Sequence, residues 1–483
     1  MKDVEPFAIV VAVAALALLA AVGSNRLSER VGIPSPAIFL IAAAVASDLV
    51  PALGGVSIEI DQRIVTVALV LILFDGGMHI GWARFRSIAG GIAWLGVTGT
   101  LVTAGALALA AHSLFDFSWR TALLLGTALA PTDPAVVFSV LGRREIRGRS
   151  GTLLEGESGA NDPVGIALMI SILGASGGGF GAVAGGAGQF ALQMALGAVF
   201  GLAGGKALLV IMRRVPLPNE ALYPLQTIAV SLLVYGVTTA CHGSGFLAVF
   251  LAGIVVGDAR APYKREIERF ASALGNLGEI VAFVVLGLSV SLRDVFSGGR
   301  VATGVGLAAL LILVVRPVLV GLVLLPVRLS RGERGFVLWA GLKGAVPILL
   351  GTYVLAEGVP GSHRIYDVIF VVVTISVVVQ GGLVPVLARV LHVPMRAVEP
   401  EPWALGMRFR DEPQGLHRYV VAAASRADGC AIAELPLGEN VWISMVSRAG
   451  RLVQVRGGTV LQAGDEVLAL ADESTDVGAL FGP

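Results

Sequence analysis

The 483-residue chain has few charged and few aromatic side chains: Asp, Glu, Lys and Arg make up 14% of the residues, and Phe, Trp and Tyr 6%. A soluble chain of this length needs a polar surface, so this shortage excludes a soluble fold for most of the chain. The formal net charge of +1 leaves no basic surface for phosphates, which excludes a nucleic-acid partner. The two cysteines, Cys241 and Cys430, fall in different predicted domains, so we expect no structural disulfide.

Apolar residues make up 55% of the chain, and they recur in runs long enough to cross about 30 Å of hydrocarbon. We interpret the first run as a membrane helix rather than a secretory signal, because it lacks a basic segment and many similar runs follow. The sequence therefore predicts an all-α polytopic membrane protein with about 13 spans. The predicted spans are 6–23, 33–50, 62–80, 87–111, 119–141, 152–174, 189–212, 223–240, 245–258, 275–291, 299–327, 335–357 and 366–391.

Lys and Arg alternate between the two sets of loops that join these spans. One set holds about 17 of them and the other about 6, and the richer set faces the cytoplasm under the positive-inside rule. This predicts a multi-pass protein of the cell inner (plasma) membrane, with the N-terminus outside and the C-terminus in the cytoplasm.

The composition changes after residue 395, the predicted end of the membrane domain 1–395. Residues 396–415 are rich in Pro, Glu and Arg and indicate a linker. Within 416–483, short alternating runs separated by Gly-containing turns predict a small α+β cytoplasmic domain. A domain of this size buries little core, so we expect it to need a second copy for stability.

The fifth predicted span contains Pro131-Thr132-Asp133-Pro134. Two prolines around Thr-Asp disrupt a helix and free backbone carbonyls, which is tolerated inside a membrane only where the chain lines a cavity. Thr132 and Asp133 are therefore candidate ion-binding residues; a simple proline kink is the alternative.

The sixth predicted span begins with four polar residues on one side of a helix. Glu157, Ser158, Asn161 and Asp162 lie within roughly 140° of one another at about 100° per residue. Their carboxylate, hydroxyl and amide oxygens are the ligands that an alkali cation prefers. A helix-capping cluster at the membrane surface is the alternative, since Pro163 suits the start of a helix.

The twelfth predicted span contains Gly341-Leu-Lys343-Gly344-Ala-Val-Pro347, which places a lysine in a Gly/Pro interruption. If spans 1–6 and 8–13 form two inverted six-helix repeats, this interruption and the Thr132-Asp133 break both fall in the fifth helix of their repeat. Matched interruptions of this kind point to a substrate site at the midplane.

Other charged or ionisable residues carry weaker signals. Arg316 either pairs with an intramembrane carboxylate or extends to the interface, and Asp75 lies on an access path or at the interface. The six histidines lie in or near loops without metal-ligand spacing, and we interpret them as surface residues. The chain has no P-loop, which argues against ATP-driven transport.

The Thr132-Asp133-Pro134 and Glu157-Ser158-x-x-Asn161-Asp162-Pro163 pair resembles the core signature of NhaP-type cation:proton antiporters (monovalent cation:proton antiporter family 1). The resemblance covers about residues 1–395. The C-terminal segment, with Leu435-Pro-Leu-Gly and Ala463-Gly-Asp465, resembles a TrkA-C regulatory domain. Antiporters with such a tail are often of the potassium/proton type.

The resemblance implies a role for each matching position. Asp162 is the carboxylate that binds a cation or a proton in turn, and Thr132, Asp133, Glu157 and Ser158 complete the site. Family members carry Arg in place of Lys343, paired with the carboxylate that matches Glu157. Asn161 stands where electrogenic relatives have a second Asp, which implies one-for-one electroneutral exchange. The resemblance also implies a homodimer.

The sequence thus favours a secondary antiporter, not an enzyme, that exchanges K⁺ and/or Na⁺ for H⁺ by alternating access. A carboxylate in a partly dehydrated cavity favours its neutral form, and a bound cation favours its charged form, so the two ions exclude each other. Alternatives are a symporter or channel regulated by the tail, or a membrane sensor without flux. We expect no cofactor apart from the transported ions and a possible ligand of the tail.

Overall fold

In a computed structural model of the protein, the described residues are 34–50, 57–141, 144–146, 148–174, 180–259, 261–397, 416–437, 441–471 and 478–482, with single positions at 15, 19, 23 and 53. The contacts between Cα atoms divide the chain into two units, Met1–Val398 and Glu399–Pro483. The predicted first span, 6–23, and the predicted linker beyond residue 397 lie almost entirely outside the described residues.

The first unit is a bundle of helices around one apolar core. Its helices are α1 Ser35–Leu49, α2 Ile58–Trp94, α3 Thr100–Phe115, α4 Trp119–Ala128, α5 Ala135–Leu141, α6 Arg149–Gly174, α7 Phe180–Arg214, α8 Leu222–Ala240, α9 Gly245–Gly257, α10 Lys264–Leu288, α11 Leu292–Val295, α12 Arg300–Leu310, α13 Gly321–Val323, α14 Arg331–Trp339, α15 Ala345–Ala356, α16 Ser362–Ile375 and α17 Gly382–Val390.

Among the described residues, six helices are long and apolar enough to cross a membrane, and α1, α9 and α15 are shorter apolar helices. The predicted spans 62–80 and 87–111 follow each other in the structure, with non-helical residues near their boundary. These residues, both in α2, are Gly81, which has φ 68°, and Ile88. The mostly helical bundle agrees with the predicted class; the count of thirteen and the inverted repeats stay predictions.

Three π-helical stretches join helices end to end: Leu95–Gly99, Leu311–Val320 and Ser376–Gly381. Pro317 lies inside the second, where its missing N–H and its ring disturb the α-helical pattern. Such wider turns are frequent at functional sites. The first stretch packs against α6, the second against α14 and the third against α5.

Two helices of the bundle are interrupted where the sequence predicts it. α4 ends at Ala128 and α5 begins at Ala135, so the Pro131–Pro134 segment has no helical structure. α14 ends at Trp339 and α15 begins at Ala345, which leaves Gly341–Gly344 without helical structure. Pro and Gly at these positions explain both interruptions, because Pro lacks a backbone N–H and Gly has a poor helix propensity.

A two-stranded antiparallel ribbon closes one edge of this unit. β1 Arg144–Ile146 follows α5, and it pairs with β2 Met395–Ala397, which follows the last helix. The segment after the first interrupted helix is therefore tied by backbone hydrogen bonds to the end of the described membrane unit.

The second unit is a small antiparallel sheet in the order β3-β6-β4-β5. Its strands are β3 Leu416–Val420, β4 Val441–Arg448, β5 Arg451–Val453 and β6 Glu466–Ala471, and a short helix, α18 Gly478–Phe481, follows them. The sheet packs over a core that includes Val446, Leu461 and Val467. The alternating runs in the sequence, at 419–423, 441–446, 452–455 and 467–471, predicted these strands to within a few residues.

Candidate functional site

The two interrupted helices meet at their non-helical segments, Pro131–Pro134 (the first break) and Gly341–Gly344 (the second break). We call the place where the two breaks meet the crossing. The backbone N–H of Asp133 donates to the carbonyl oxygen of Leu342 at 2.8 Å. The ammonium of Lys343 donates to the carbonyl oxygens of Ala130 at 2.8 Å and Pro131 at 2.9 Å. These hydrogen bonds provide partners for backbone groups that have no helical partner at the breaks. The interior of a membrane requires such partners, because no water is available there.

Asp162 lies on α6 facing this crossing. Its side chain is buried, and its Oδ1 has no hydrogen-bond partner among the described residues. Asp133 and Lys343 lie close enough to act on it electrostatically. A buried carboxylate oxygen without a donor, next to a second carboxylate, attracts a cation or a proton.

Asn161 connects α6 to the first break. Its Oδ1 accepts the backbone N–H of Thr132 at 3.2 Å, and its Nδ2 donates to Thr132 Oγ1 at 2.7 Å. Both ends of the amide are therefore used to hold Thr132 in place. Ser158 is buried on the same helix, so α6 brings all four predicted polar residues into the interior.

Glu157 pairs with Arg316, which corrects the pairing with Lys343 that the resemblance implied. Arg316 Nη2 lies 3.2 Å and Nη1 3.3 Å from Glu157 Oε1. Arg316 also donates to the carbonyl oxygens of Leu338 and Val337, at 2.9 Å and 3.2 Å. The guanidinium has enough donors for all three acceptors, whereas the amine of Lys343 is used by the first break. In the structure Arg316 pairs with a carboxylate, which is one of the two roles considered for it.

Two glycines of the second break make these contacts possible. A Cβ at Gly341 would overlap with the guanidinium of Arg316, and a Cβ at Gly344 would overlap with the carboxylate of Asp133. The glycines of the Gly-Leu-Lys-Gly sequence are thus required for close approach at both positions.

The third π-helical stretch, Ser376–Gly381, also holds the second break in place. The sequence analysis missed the residues that make these contacts. The backbone N–H of Lys343 donates to Ser376 Oγ at 3.0 Å, and Ser376 in turn donates to Gln380 Oε1 at 2.5 Å. Gln380 Nε2 donates to the carbonyl oxygen of Trp339 at 3.1 Å. Ser376 and Gln380 stand four residues apart in an apolar run, which is the signal that could have identified them.

Asp75 lies elsewhere, on α2. Its Oδ1 accepts a hydrogen bond from Ser272 at 2.9 Å and lies 3.3 Å from Nδ1 of His79. Asp75 and His79 border a polar cavity of about 300 Å³, whose lining also includes Arg84, Asp258 and Glu268. This position keeps open both roles that the sequence analysis gave to Asp75.

Within the described part of the chain, no three His, Cys, Asp or Glu side chains converge as a metal-binding group. A cation at the crossing would therefore depend on hydroxyl, amide and backbone oxygens as well as carboxylates. Hard alkali cations accept such mixed oxygen ligands.

Crossed interrupted helices around a buried aspartate define a class of membrane proteins that carry ions by alternating access. The chain belongs to the sodium/hydrogen exchanger family: the profile "Sodium/hydrogen exchanger, transmembrane" matches residues 14–390. The "TrkA-C domain" profile matches residues 416–480. The family identification made from the sequence motifs is thus confirmed in both parts.

Known relatives are similar over most of the chain. The K(+)/H(+) antiporter NhaP of Alkalimonas amylolytica is 36% identical over 80% of this chain and 67% of its own length. The K(+)/H(+) antiporter NhaP2 of Shewanella sp. (strain MR-4) is 31% identical over 95% of this chain and 81% of its own. The Na(+)/H(+) antiporter NhaP of Pseudomonas aeruginosa is 27% identical over 69% of this chain and 82% of its own. These relatives are antiporters and not enzymes, as expected for this chain.

The fold is that of a solved antiporter. The structure of the sodium proton antiporter MjNhaP1 from Methanocaldococcus jannaschii at pH 8 has a TM-score of 0.64 and 21% identity, and it covers 78% of this chain and 99% of its own. An electron-microscopy map of MjNhaP1 gives a TM-score of 0.66. The chain is therefore a multi-pass membrane protein of a cation/proton antiporter family.

Proposed function

We propose that this chain exchanges a monovalent cation, K⁺ and/or Na⁺, for H⁺, and that Asp162 carries each ion in turn. The observation that carries the proposal is the oxygen Oδ1 of Asp162, which is buried without a donor beside the crossed breaks. A carboxylate in this position has room for one positive ion only, so a proton and a metal ion displace each other.

The residues around Asp162 have two kinds of role: some would bind the ion, and others hold these ligands in position. Asn161 holds Thr132 in the first break, and the neighbouring Asp133 lies close enough to Asp162 to act on it electrostatically. The pair of Arg316 and Glu157 leaves Glu157 Oε2 without a hydrogen-bond partner among the described residues. Thr132, Asp133, Ser158, Asp162 and Glu157 would supply the oxygen ligands, with Lys343 and Arg316 holding the two breaks and Glu157 in position.

Exchange requires that the empty, charged site crosses the membrane poorly. An unpaired carboxylate costs much more free energy inside hydrocarbon than one that carries a proton or a cation. One-for-one electroneutral exchange is our proposal for the stoichiometry, because Asn161 adds no second charge to the cycle. The name of a relative that is similar over 95% of this chain, a K(+)/H(+) antiporter, favours K⁺ as a cargo.

The architecture that this proposal uses has thirteen spans in two inverted repeats, a membrane domain 1–395, a linker and a regulatory domain 416–483. The protein would lie in the inner membrane as a homodimer, with its N-terminus outside and the C-terminal domain in the cytoplasm. No cofactor is needed for this mechanism, and the C-terminal domain would bind a ligand that adjusts the rate.

The test is exchange by the purified protein in liposomes with an acidic lumen. Addition of Na⁺, K⁺, Rb⁺ or Li⁺ in turn should alkalinise the lumen, and an imposed membrane potential should leave the rate unchanged. Asp162→Asn should reduce the rate to the level of empty liposomes while the protein still elutes as a monodisperse peak.

Asp116→Asn is the matched control, because Asp116 is exposed and its left-handed backbone tolerates Asn. It should exchange at the wild-type rate. Exchange retained by Asp162→Asn would remove Asp162 from the proposed role. A wild-type protein that moves no protons in response to any of the cations would favour the sensor alternative.

A further inference from the structure

Glu279 is an intramembrane carboxylate outside the residues assigned so far. It lies in the apolar half of α10, between Leu277 and Ile280, and its Oε1 is shielded from solvent without a hydrogen-bond partner among the described residues. A carboxylate inside a membrane helix costs free energy, so its presence there indicates a functional role.

One face of α10 connects Glu279 to the polar cavity at Asp75. Ser272, Gly275 and Glu279 follow at i, i+3 and i+7, a spacing that aligns them along the helix. Ser272 donates to Asp75, and a Cβ at Gly275 would lie 3.1 Å from Asp75 Oδ2. From Ser272 to Glu279 the helix rises by about 10 Å, or two turns.

The other neighbour of Glu279 is the candidate ion site. Its carboxylate interacts electrostatically with Asp133, and α10 also packs against α15, the helix that follows the second break. Glu279 therefore stands between two groups of oxygens: those around the cavity at Asp75 and those of Asp133 and Asp162.

We propose that Glu279 is a further ion-binding carboxylate of the transport route, a transient ligand for the cation between the Asp75 cavity and Asp162. The inference rests on the proposed function. A cation that leaves water needs replacement oxygens in steps, and sites along such a route must bind well enough to admit the ion and weakly enough to release it. A single carboxylate oxygen without a donor meets this requirement.

The experiment compares Glu279→Gln, Glu279→Asp and wild type in the liposome assay, with the rate measured against cation concentration. Glu279→Gln removes the charge with little change in shape, so the apparent KM for the cation should rise about tenfold, which is the effect of 1.4 kcal/mol at 25 °C. Glu279→Asp keeps the charge and should have an apparent KM within about threefold of wild type. Glu266→Gln, at an exposed position near the start of the same helix, is the matched control and should behave as wild type.

The outcomes separate the possible roles. An unchanged apparent KM in Glu279→Gln, whether or not the maximal rate falls, would overturn the inference and leave Glu279 a structural residue. If Glu279→Gln does not fold or does not exchange, Glu279→Asp decides: restored exchange with near wild-type KM supports the inference, and failure of both variants overturns it. Absence of exchange in the wild type would instead reject the proposed function.

Discussion

Among the arginine–carboxylate pairs of the two units, Arg448–Asp465 and Arg316–Glu157 differ in how many carboxylate oxygens they use. In the C-terminal unit, Arg448 Nε and Nη2 donate to both oxygens of Asp465, each at 2.8 Å, and Asp465 also accepts the N–H of Gln462. In the membrane unit, both Nη atoms of Arg316 fall on one oxygen of Glu157. The first pair is complete, whereas the second leaves Glu157 Oε2 without a partner among the described residues.

Arg448–Asp465 is thus a structural pair, whereas Arg316–Glu157 leaves one carboxylate oxygen without a hydrogen bond. A bidentate pair gives the most hydrogen bonds for its charges and holds the turn before β6 in place. A pair that uses one oxygen inside a membrane is incomplete on its own, because an unsatisfied buried acceptor costs free energy. In the proposed mechanism, Glu157 Oε2 would become a ligand when a cation binds next to it.

The largest effect should follow removal of the membrane pair. Arg316→Met keeps the length of the side chain but leaves Glu157 as an uncompensated buried group, so we expect a loss of about 3 kcal/mol in stability. The measurement is the fraction of protein that stays monodisperse after heating in detergent. The double variant Arg316→Met/Glu157→Gln should regain part of the loss, since neither charge remains. A single variant as stable as wild type would show that the pair contributes nothing.

Gly341→Ala should destabilise the Arg316–Glu157 pair through a steric overlap. The added methyl group overlaps with the guanidinium of Arg316, and such overpacking costs about 2 kcal/mol. Gly105→Ala is the matched control, because Gly105 is helical and has open space around its Cα. We expect the control to melt at or above the wild-type temperature and Gly341→Ala well below it. Equal melting temperatures for the two variants would show that Arg316 can move aside.

A smaller effect is expected at Thr132. Thr132→Val removes the hydroxyl that accepts from Asn161 but keeps the backbone N–H bond, at a cost of about 1 kcal/mol. Because the backbone of Thr132 stays in place, we expect exchange to continue with a rise of a few-fold in the apparent KM. Complete loss of exchange would mean that the hydroxyl itself is an obligatory ligand.

The C-terminal pair should respond to pH and not to cations. The hydrogen bonds from Arg448 hold the pKa of Asp465 below its usual range, against the opposing effect of burial. Because the folded-state pKa is lowered, the stabilisation is complete above the ordinary value of about 3.9 and is lost as the pH falls through the folded pKa. Amide exchange of β4 and β6 in the full chain, corrected for intrinsic pH effects, should therefore be constant between about pH 5 and 8. Arg448→Met should move the loss of protection to higher pH; no change would exclude this role.

Much of the fold is predictable because hydrophobic runs and helix breakers act locally. Pro131 and Pro134 fix the first interruption, Gly341 and Gly344 fix the second, and the alternating runs after residue 415 fix the strands of the small sheet. The face of α6 follows from the helical repeat alone. All of these features depend on residues that are close in sequence.

The partners of these residues could not be predicted, because they depend on long-range packing. Glu157 and Arg316 are 159 positions apart, and spacing does not distinguish Arg316 from Lys343 as the partner of Glu157. Glu279 was different: a lone carboxylate in an apolar run is visible in the sequence, and it was overlooked because no motif surrounds it. The contacts of Ser376 and Gln380 required the geometry of a π-helical turn that hydropathy does not report.

The hydrogen bonds between the two breaks have a mechanical consequence. Ala130, Pro131 and Asp133 are joined to Leu342 and Lys343 by three hydrogen bonds, so neither segment can shift without pulling the other or breaking them. Under the proposed exchange mechanism, a displacement that presents the ion to either side would have to move both segments together. The hinges then lie outside the crossing, in the loops and wider turns around it.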